Sequence, residues 1–207
     1  MASERSICLK CLYLLPRPTS MDDYQVIDNI FRGKVLIDKS SSLFYYSRES
    51  KFASIIKNIK YGNQPEIGRE LAKQFAAKLI TTGFFDSIDY IVPIPLHPLR
   101  EYKREYNQSE FIAEGISQVT SIPVLLALQT RLISPLHQTR KDLAKRISES
   151  KKNKFILKSD IDLSGKHILL VDDVVTTGAT LINGVKALRH NDSVIVSILT
   201  LATDRLE

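Results

Sequence analysis

The chain of 207 residues has no tryptophan, two cysteines, eight glycines and eight prolines. Cys8 and Cys11 form a single CxxC, which cannot supply the disulfide framework of a small secreted domain. No apolar run approaches the roughly 18 to 20 residues of a membrane span. The polar start lacks the apolar stretch of a secretory signal, so a cytoplasmic protein is expected. The P-loop pattern GxxxxGK[ST] and the dinucleotide pattern GxGxxG are both missing, which excludes two common ways of holding nucleotides. What is present is a composition that folds: 43% hydrophobic and 25% charged, enough for one domain or one domain with a small appendage.

The net charge of +6 is unevenly spread, since eleven Lys/Arg against six Asp/Glu fall in residues 100–154. Such a stretch is either a solvated basic loop or a contact surface for a polyanion, a pyrophosphate or a nucleic acid. Composition does not choose between them.

Periodicity organises the rest. Residues 21–42 are weakly patterned. Leu43–Tyr46 reads as a strand, and Phe52, Ile55, Ile56 and Ile59 form one face of a helix stopped by Tyr61-Gly62-Asn63. Ile67, Leu71, Phe75 and Leu79 mark a second helix, closed by Gly83. Tyr90–Val92 is a strand running into Pro93-Ile94-Pro95-Leu96-His97-Pro98. Phe111, Ile112, Ile116 and Val119 give a third helix, and Pro123–Leu128 a strand. Residues 129–153 have no clean period and read as a long loop, of the kind that is usually functional or disordered. Phe155–Leu157 is a short strand, Leu181, Ile182, Val185 and Leu188 a helical face, and Val194–Leu201 the last strand. Strands alternating with helices predict an α/β fold with a parallel sheet.

One segment carries most of the chemistry. Ile168–Val171 is an apolar strand; Asp172-Asp173 follow it; Val174–Thr180 then leads through Thr176-Thr177-Gly178 into a helix. In open parallel sheets, ligands bind beyond the carboxyl ends of the strands. Unpaired N–H groups at a helix N-terminus favour a phosphate, threonine hydroxyls add donors, and Gly178 permits close backbone approach. Two carboxylates repel a phosphate but accept hydrogen bonds from neighbouring hydroxyls. A diol at one end and a phosphate at the other describe a ribose 5-phosphate. The alternative is an ordinary N-cap and turn.

At this length and in this context, Val171–Thr180 resembles the phosphoribosyl diphosphate (PRPP) loop of type I phosphoribosyltransferases. Ile91–Pro98 with Tyr106-Asn107-Gln108-Ser109-Glu110 resembles the PVPLHP…RGYNQSE signature of the ComF family. Ile56–Gly62 and His137–Arg140 with Arg146 resemble two further ComF stretches, so the resemblance covers nearly the whole chain. It implies a type I phosphoribosyltransferase-like parallel sheet flanked by helices, with a long flexible basic loop and a vestigial CxxC segment. It further implies PRPP or ribose 5-phosphate held by Asp172, Asp173, Thr176, Thr177, Gly178, Ala179 and Thr180. The diphosphate region would be Pro93, Ile94, Pro95, Arg100, Lys103 and Arg104. Loop 129–153 would be a catalytic hood that excludes water, with Arg140 and Arg146 meeting the departing diphosphate and Lys141 and Lys145 beside them. Mg²⁺ would accompany PRPP. For each of these cations, plain solvated surface is the alternative, and His97 and His137 receive no acid–base role.

The chain departs from the family pattern in two places. Glu105 stands where the family has glycine, adding charge and removing backbone freedom beside the diphosphate region. In the loop, Lys141–Glu149 lacks the family's serine, first arginine, tryptophan and asparagine. Cys8 and Cys11 resemble the second half of a ComF zinc module whose first pair is absent. Structural zinc takes four N/S ligands, so residues 1–20 are expected to be a remnant, with residues 21–207 the phosphoribosyltransferase-like domain and zinc not expected in this chain. The functional expectation is PRPP binding, with transfer of ribose 5-phosphate to a nitrogenous acceptor. Its alternatives are a non-catalytic PRPP or nucleotide binder and a DNA-uptake accessory protein with DNA or competence-machinery partners.

Overall fold

The computed structural model describes residues 12–18, 27–47, 49–50, 52–131, 154–189 and 193–204. Its centre is a parallel four-stranded sheet of β1 (Ser40–Tyr46), β2 (Tyr90–Pro93), β5 (His167–Val175) and β6 (Ile195–Asp204), in the order β1-β6-β5-β2. The two inner strands are buried almost end to end, as strands covered on both faces must be. Alternation divides their side chains: Leu169, Val171, Leu199 and Leu201 enter one core, and Ile168, Leu170, Val196 and Ile198 the other. Helices α1 (Ala53–Tyr61), α2 (Pro65–Leu79) and α4 (Gln108–Thr120) pack into the first core. Helix α5 (Ala179–Leu188) and the helical residues 27–31 pack into the second. The fold is therefore the expected α/β parallel sheet flanked by helices.

Local chemistry accounts for the elements. Pro65 at the first position and Glu66 in the first turn open α2. It crosses α4 so closely at Gly115 that a Cβ there would lie 2.3 Å from the Arg69 carbonyl oxygen. A side chain at Gly115 would push the two helices apart.

The expected elements recur with instructive differences. The predicted strand 123–128 is split. Ile91 donates to the Pro123 carbonyl and Leu125 to that of Ile91, giving one parallel bridge at Val124. The next rung would need an N–H from Pro93, which has none, so the ladder stops. The chain then turns into β3 (Leu128–Thr130), which pairs antiparallel with β4 (Phe155–Leu157). The start of the expected loop 129–153 is thus the first arm of a ribbon. Helix α3 (Pro98–Arg104) was not expected. Pro98 at its first turn and His97, whose Nδ1 accepts from Leu99 N–H at 3.3 Å, begin it. It buries no residue, so no apolar stripe announced it. The strand at 168–171 also runs longer than expected: β5 stays paired with β6 through Val175, and Asp172 and Asp173 lie within it.

Among the described residues, no helix is long and apolar enough to cross a membrane. Cys8, Cys11, His137, Arg140, Lys141, Lys145 and Arg146 lie outside the described residues.

Candidate functional site

The cleft exists because β2 ends before β5 does. The last rung between them pairs Pro93 with Val171, after which Ile94 N–H bonds to the Val171 carbonyl and the chain leaves through Pro95. Beyond that point, Asp172 and Asp173 keep β6 on one side and, among the described residues, have no strand on the other. The connections also diverge here. Helix α4 carries the chain outward from β2 on one face, and α5 carries it from β5 to β6 on the other. This is the topological switch point at which open α/β sheets bind ligands. It holds a cleft of about 430 Å³.

Both carboxylates are buried, Asp172 at 7% exposure and Asp173 at 3%. Asp172 Oδ1 accepts from the Ser109 hydroxyl at 3.0 Å and from Asp173 N–H at 2.9 Å. Asp173 Oδ1 lies 3.1 Å from the Lys60 ammonium. Asp173 Oδ2, buried, has no partner among the described residues. Burial, and after it the adjacent Asp173 charge, push the Asp172 carboxyl up to about 7, against the Asp173 N–H, Lys60 and Ser109. A buried carboxylate oxygen without a donor costs stability unless a ligand supplies one.

Past the carboxylates, Val174–Leu181 wraps a small cup of about 40 Å³ at the N-terminus of α5. Thr176 and Thr177 are exposed beside it. Gly178 caps the helix at φ 73°, the left-handed region that favours glycine, and a Cβ there would lie 2.4 Å from Ile30 Cγ2. The glycine is thus required by its backbone angle and by packing against residues 30 and 31, beyond the close ligand approach that the sequence suggested.

Cations line the cleft from three directions: Lys60 from α1, Arg100 and Arg104 from α3, Arg131 and Lys154 from the ends of the β3–β4 ribbon. Arg100, Arg131 and Lys154 make no ion pair with any described residue. Arg104 is fixed by a 3.0 Å hydrogen bond to Gln108 Oε1 and by stacking 4.6 Å above the Tyr61 ring. Of the expected diphosphate region, Ile94, Pro95, Arg100 and Arg104 line this cleft, Pro93 lines a neighbouring cavity of about 290 Å³, and Lys103 lines neither. Of the expected ribose and phosphate residues, Asp172, Asp173 and Thr180 line the cleft, and Thr176, Thr177, Gly178 and Ala179 the cup.

The Tyr106–Glu110 stretch wires the site together. Tyr106 donates to the Ile59 carbonyl at 2.7 Å. Asn107 caps α4 through Ser109 N–H at 3.1 Å while its amide donates to the Ile94 carbonyl and to Glu110 Oε1, each at 3.0 Å. Burial nonetheless holds the Glu110 carboxyl above its usual range. Glu105, at the family's glycine position, ends α3 at φ 65°. Lys60, Arg131 and Lys154 were not assigned a role from sequence, because each reaches the cleft from an element distant in the chain. The one available signal was the Lys60-Tyr61-Gly62 helix end.

Among the described residues, no group of three or more His, Cys, Asp or Glu could hold a metal ion.

Residues 66–207 match the model of the phosphoribosyl transferase domain. The chain is 30% identical over 156 residues to the DNA utilization protein YhgH of Escherichia coli K12, covering 71% of this chain and 65% of that protein. It is 28% identical over 172 residues to the competence protein ComFC of Bacillus subtilis 168, covering 81% and 67%. It thus spans about two thirds of the length of the curated relatives it matches. Among solved structures, adenine phosphoribosyltransferase of Leishmania tarentolae aligns with a TM-score of 0.41 at 10% identity, over 74% of this chain and 75% of that one. The chain belongs to the phosphoribosyl transferase domain family, and within it is ComF-like.

Proposed function

We propose that the cleft binds PRPP, or the ribose 5-phosphate part of it, with Asp172 and Asp173 accepting from the ribose hydroxyls and the Thr176–Thr180 cup holding the 5-phosphate. The observation that carries this reading is the buried Oδ2 of Asp173, which has no partner among the described residues and lies one turn before a helix N-terminus whose cap, Gly178, offers no side-chain hydrogen bond. Arg100, Arg104, Arg131 and Lys154 supply the positive charge that a diphosphate needs. When bound, Mg²⁺ would neutralise part of that diphosphate charge. A glycosyl transfer to a nitrogenous acceptor follows from the same arrangement: the cations stabilise the leaving diphosphate, and the walled cleft limits attack by water. Such a protein would act in nucleotide metabolism in the cytoplasm. Arg140 and Arg146 remain the proposed leaving-group contacts, and residues 1–20 a proposed zinc-module remnant.

Calorimetric titration with PRPP and Mg²⁺ tests the reading. Wild type should bind, and Asp172→Asn/Asp173→Asn should not; absence of binding by wild type would sink it. Diphosphate release in the presence of a base panel separates an enzyme from a binding protein. The names of the relatives favour a second reading, service in DNA uptake or use with DNA or competence-machinery partners. Direct DNA binding through residues 100–154 would weaken steeply with salt and survive the double asparagine substitution, whereas PRPP binding would not.

A further inference from the structure

We propose that Lys60 is the positioning residue of the carboxylate pair: its ammonium holds Asp173 by Oδ1 and keeps Oδ2 as a free acceptor for a ribose hydroxyl. This rests on the ribose phosphate reading above and adds to it a residue outside the Asp172–Thr180 segment.

Three contacts make the last turn of α1 part of the site. Ile59 offers its carbonyl to the Tyr106 hydroxyl at 2.7 Å, Tyr61 lies under the Arg104 guanidinium at 4.6 Å, and Lys60 reaches Asp173 at 3.1 Å. The exposed carbonyls at a helix C-terminus favour a cation there, so the turn presents Lys60 at little cost. Asp173 is 3% exposed, and a carboxylate so buried is costly without a counter-charge, which Lys60 supplies. Asp172 is held differently, by the neutral hydroxyl of Ser109 and by a backbone N–H. The pair therefore combines one charge-neutralised member and one hydrogen-bonded member. His97, Arg100 and Arg104 from the 97–104 segment and Arg131 and Lys154 from the ribbon line the same cleft, but no ion pair joins any of them to Asp173. Lys60 alone among the described residues makes that contact.

The test is calorimetric titration of the full chain with PRPP and Mg²⁺ between pH 6 and 9, for wild type, Lys60→Gln, Lys60→Met and Lys60→Arg. Thermal unfolding is recorded for each to identify folded variants. Both neutral variants should bind about tenfold more weakly at pH 7. Their affinity should keep rising at pH values where wild type has levelled off, because without the ammonium the pair retains its proton longer. Lys60→Arg should recover most of the affinity and the wild-type pH profile. Neutral variants with wild-type affinity and profile would overturn the proposal. So would a loss of the same size at every pH, which is what a purely structural role predicts. Absence of binding by wild type would instead overturn the ribose phosphate reading.

Discussion

The two ends of β5 both carry buried polar clusters, and they are built on opposite plans. At the N-terminal end, His167 donates its backbone N–H to Asp89 Oδ2 at 2.8 Å and accepts the Asp89 N–H in return. Its ring bonds the Ser87 hydroxyl at 3.1 Å and the Ser197 hydroxyl at 2.9 Å, and Lys166 reaches Asp89 at 3.1 Å. At the C-terminal end, Asp173 keeps a buried oxygen with no partner among the described residues, and three nearby cations form no ion pair with any of them. A satisfied cluster fixes a fold; an unsatisfied one waits for a ligand. Four buried side-chain polar atoms among the described residues lack partners, namely Arg17 Nε, Ser41 Oγ, Arg69 Nε and Asp173 Oδ2, and only the last belongs to a residue lining the cleft.

The largest effect should come from breaking the unsatisfied end. Asp172→Asn/Asp173→Asn should weaken PRPP binding by about 100-fold or more, since both carboxyl groups that would accept from the ribose diol are replaced by amides. Asp172→Asn alone should also raise the unfolding midpoint at pH 8. The native carboxyl is pushed up to about 7 from the usual range near 3.8, so between those values the folded chain holds a proton that the unfolded chain has released. Stability from this group therefore falls as pH rises from about 4 through 7, and the asparagine variant should lose that slope in thermal melts. A midpoint unchanged at pH 8 would mean that the pair is not held against its own repulsion.

His167 should behave in the opposite sense. Burial lowers its ring pKa, so the folded state favours the neutral ring. Stability from this group is intact above the unfolded value near 6.5 and is lost as pH falls below it. His167→Ala leaves the Ser87 and Ser197 hydroxyls without their ring partners. It should cost about 2 to 3 kcal/mol in denaturant melts while leaving PRPP affinity within about twofold. A large loss of affinity in a folded His167→Ala chain would erase the distinction between the two ends.

How much of this was legible in the sequence divides along the same line. The helical faces of α1, α2, α4 and α5 and the apolar cores of β5 and β6 were readable, because burial leaves a period in the chain. Helix α3 buries nothing, and the 123–128 segment is broken by a missing N–H on Pro93, a residue on another strand. The same rule governs the site. Asp172, Asp173 and Thr180 are contiguous with a recognisable turn. Ser109 reaches Asp172 across 63 residues, and Lys60 reaches Asp173 from a helix that precedes both, so their contacts with the carboxylates appear only in the folded arrangement. Glycine at 178 was read for its service to a ligand, whereas residues 30 and 31, from a weakly patterned stretch, are what fill the space beneath it.

The smallest effect concerns strain at the ligand end. Glu105 holds φ 65° at the end of α3, next to Arg104 of the cleft. A side chain in this region costs about 1 to 2 kcal/mol, partly offset by the greater freedom that glycine has in the unfolded chain. Glu105→Gly should therefore stabilise the chain by about 0.5 to 1 kcal/mol, a rise in midpoint of roughly 2 to 3 °C for this size. It also removes a negative charge beside Arg104, so PRPP affinity should rise, by less than about threefold at low salt and by nothing measurable at high salt. A gain in stability without a gain in affinity would make Glu105 purely a cap. A gain in affinity that persists in high salt would mean that glycine relaxes the Arg104 turn toward the ligand, placing the strain on the functional side of the comparison.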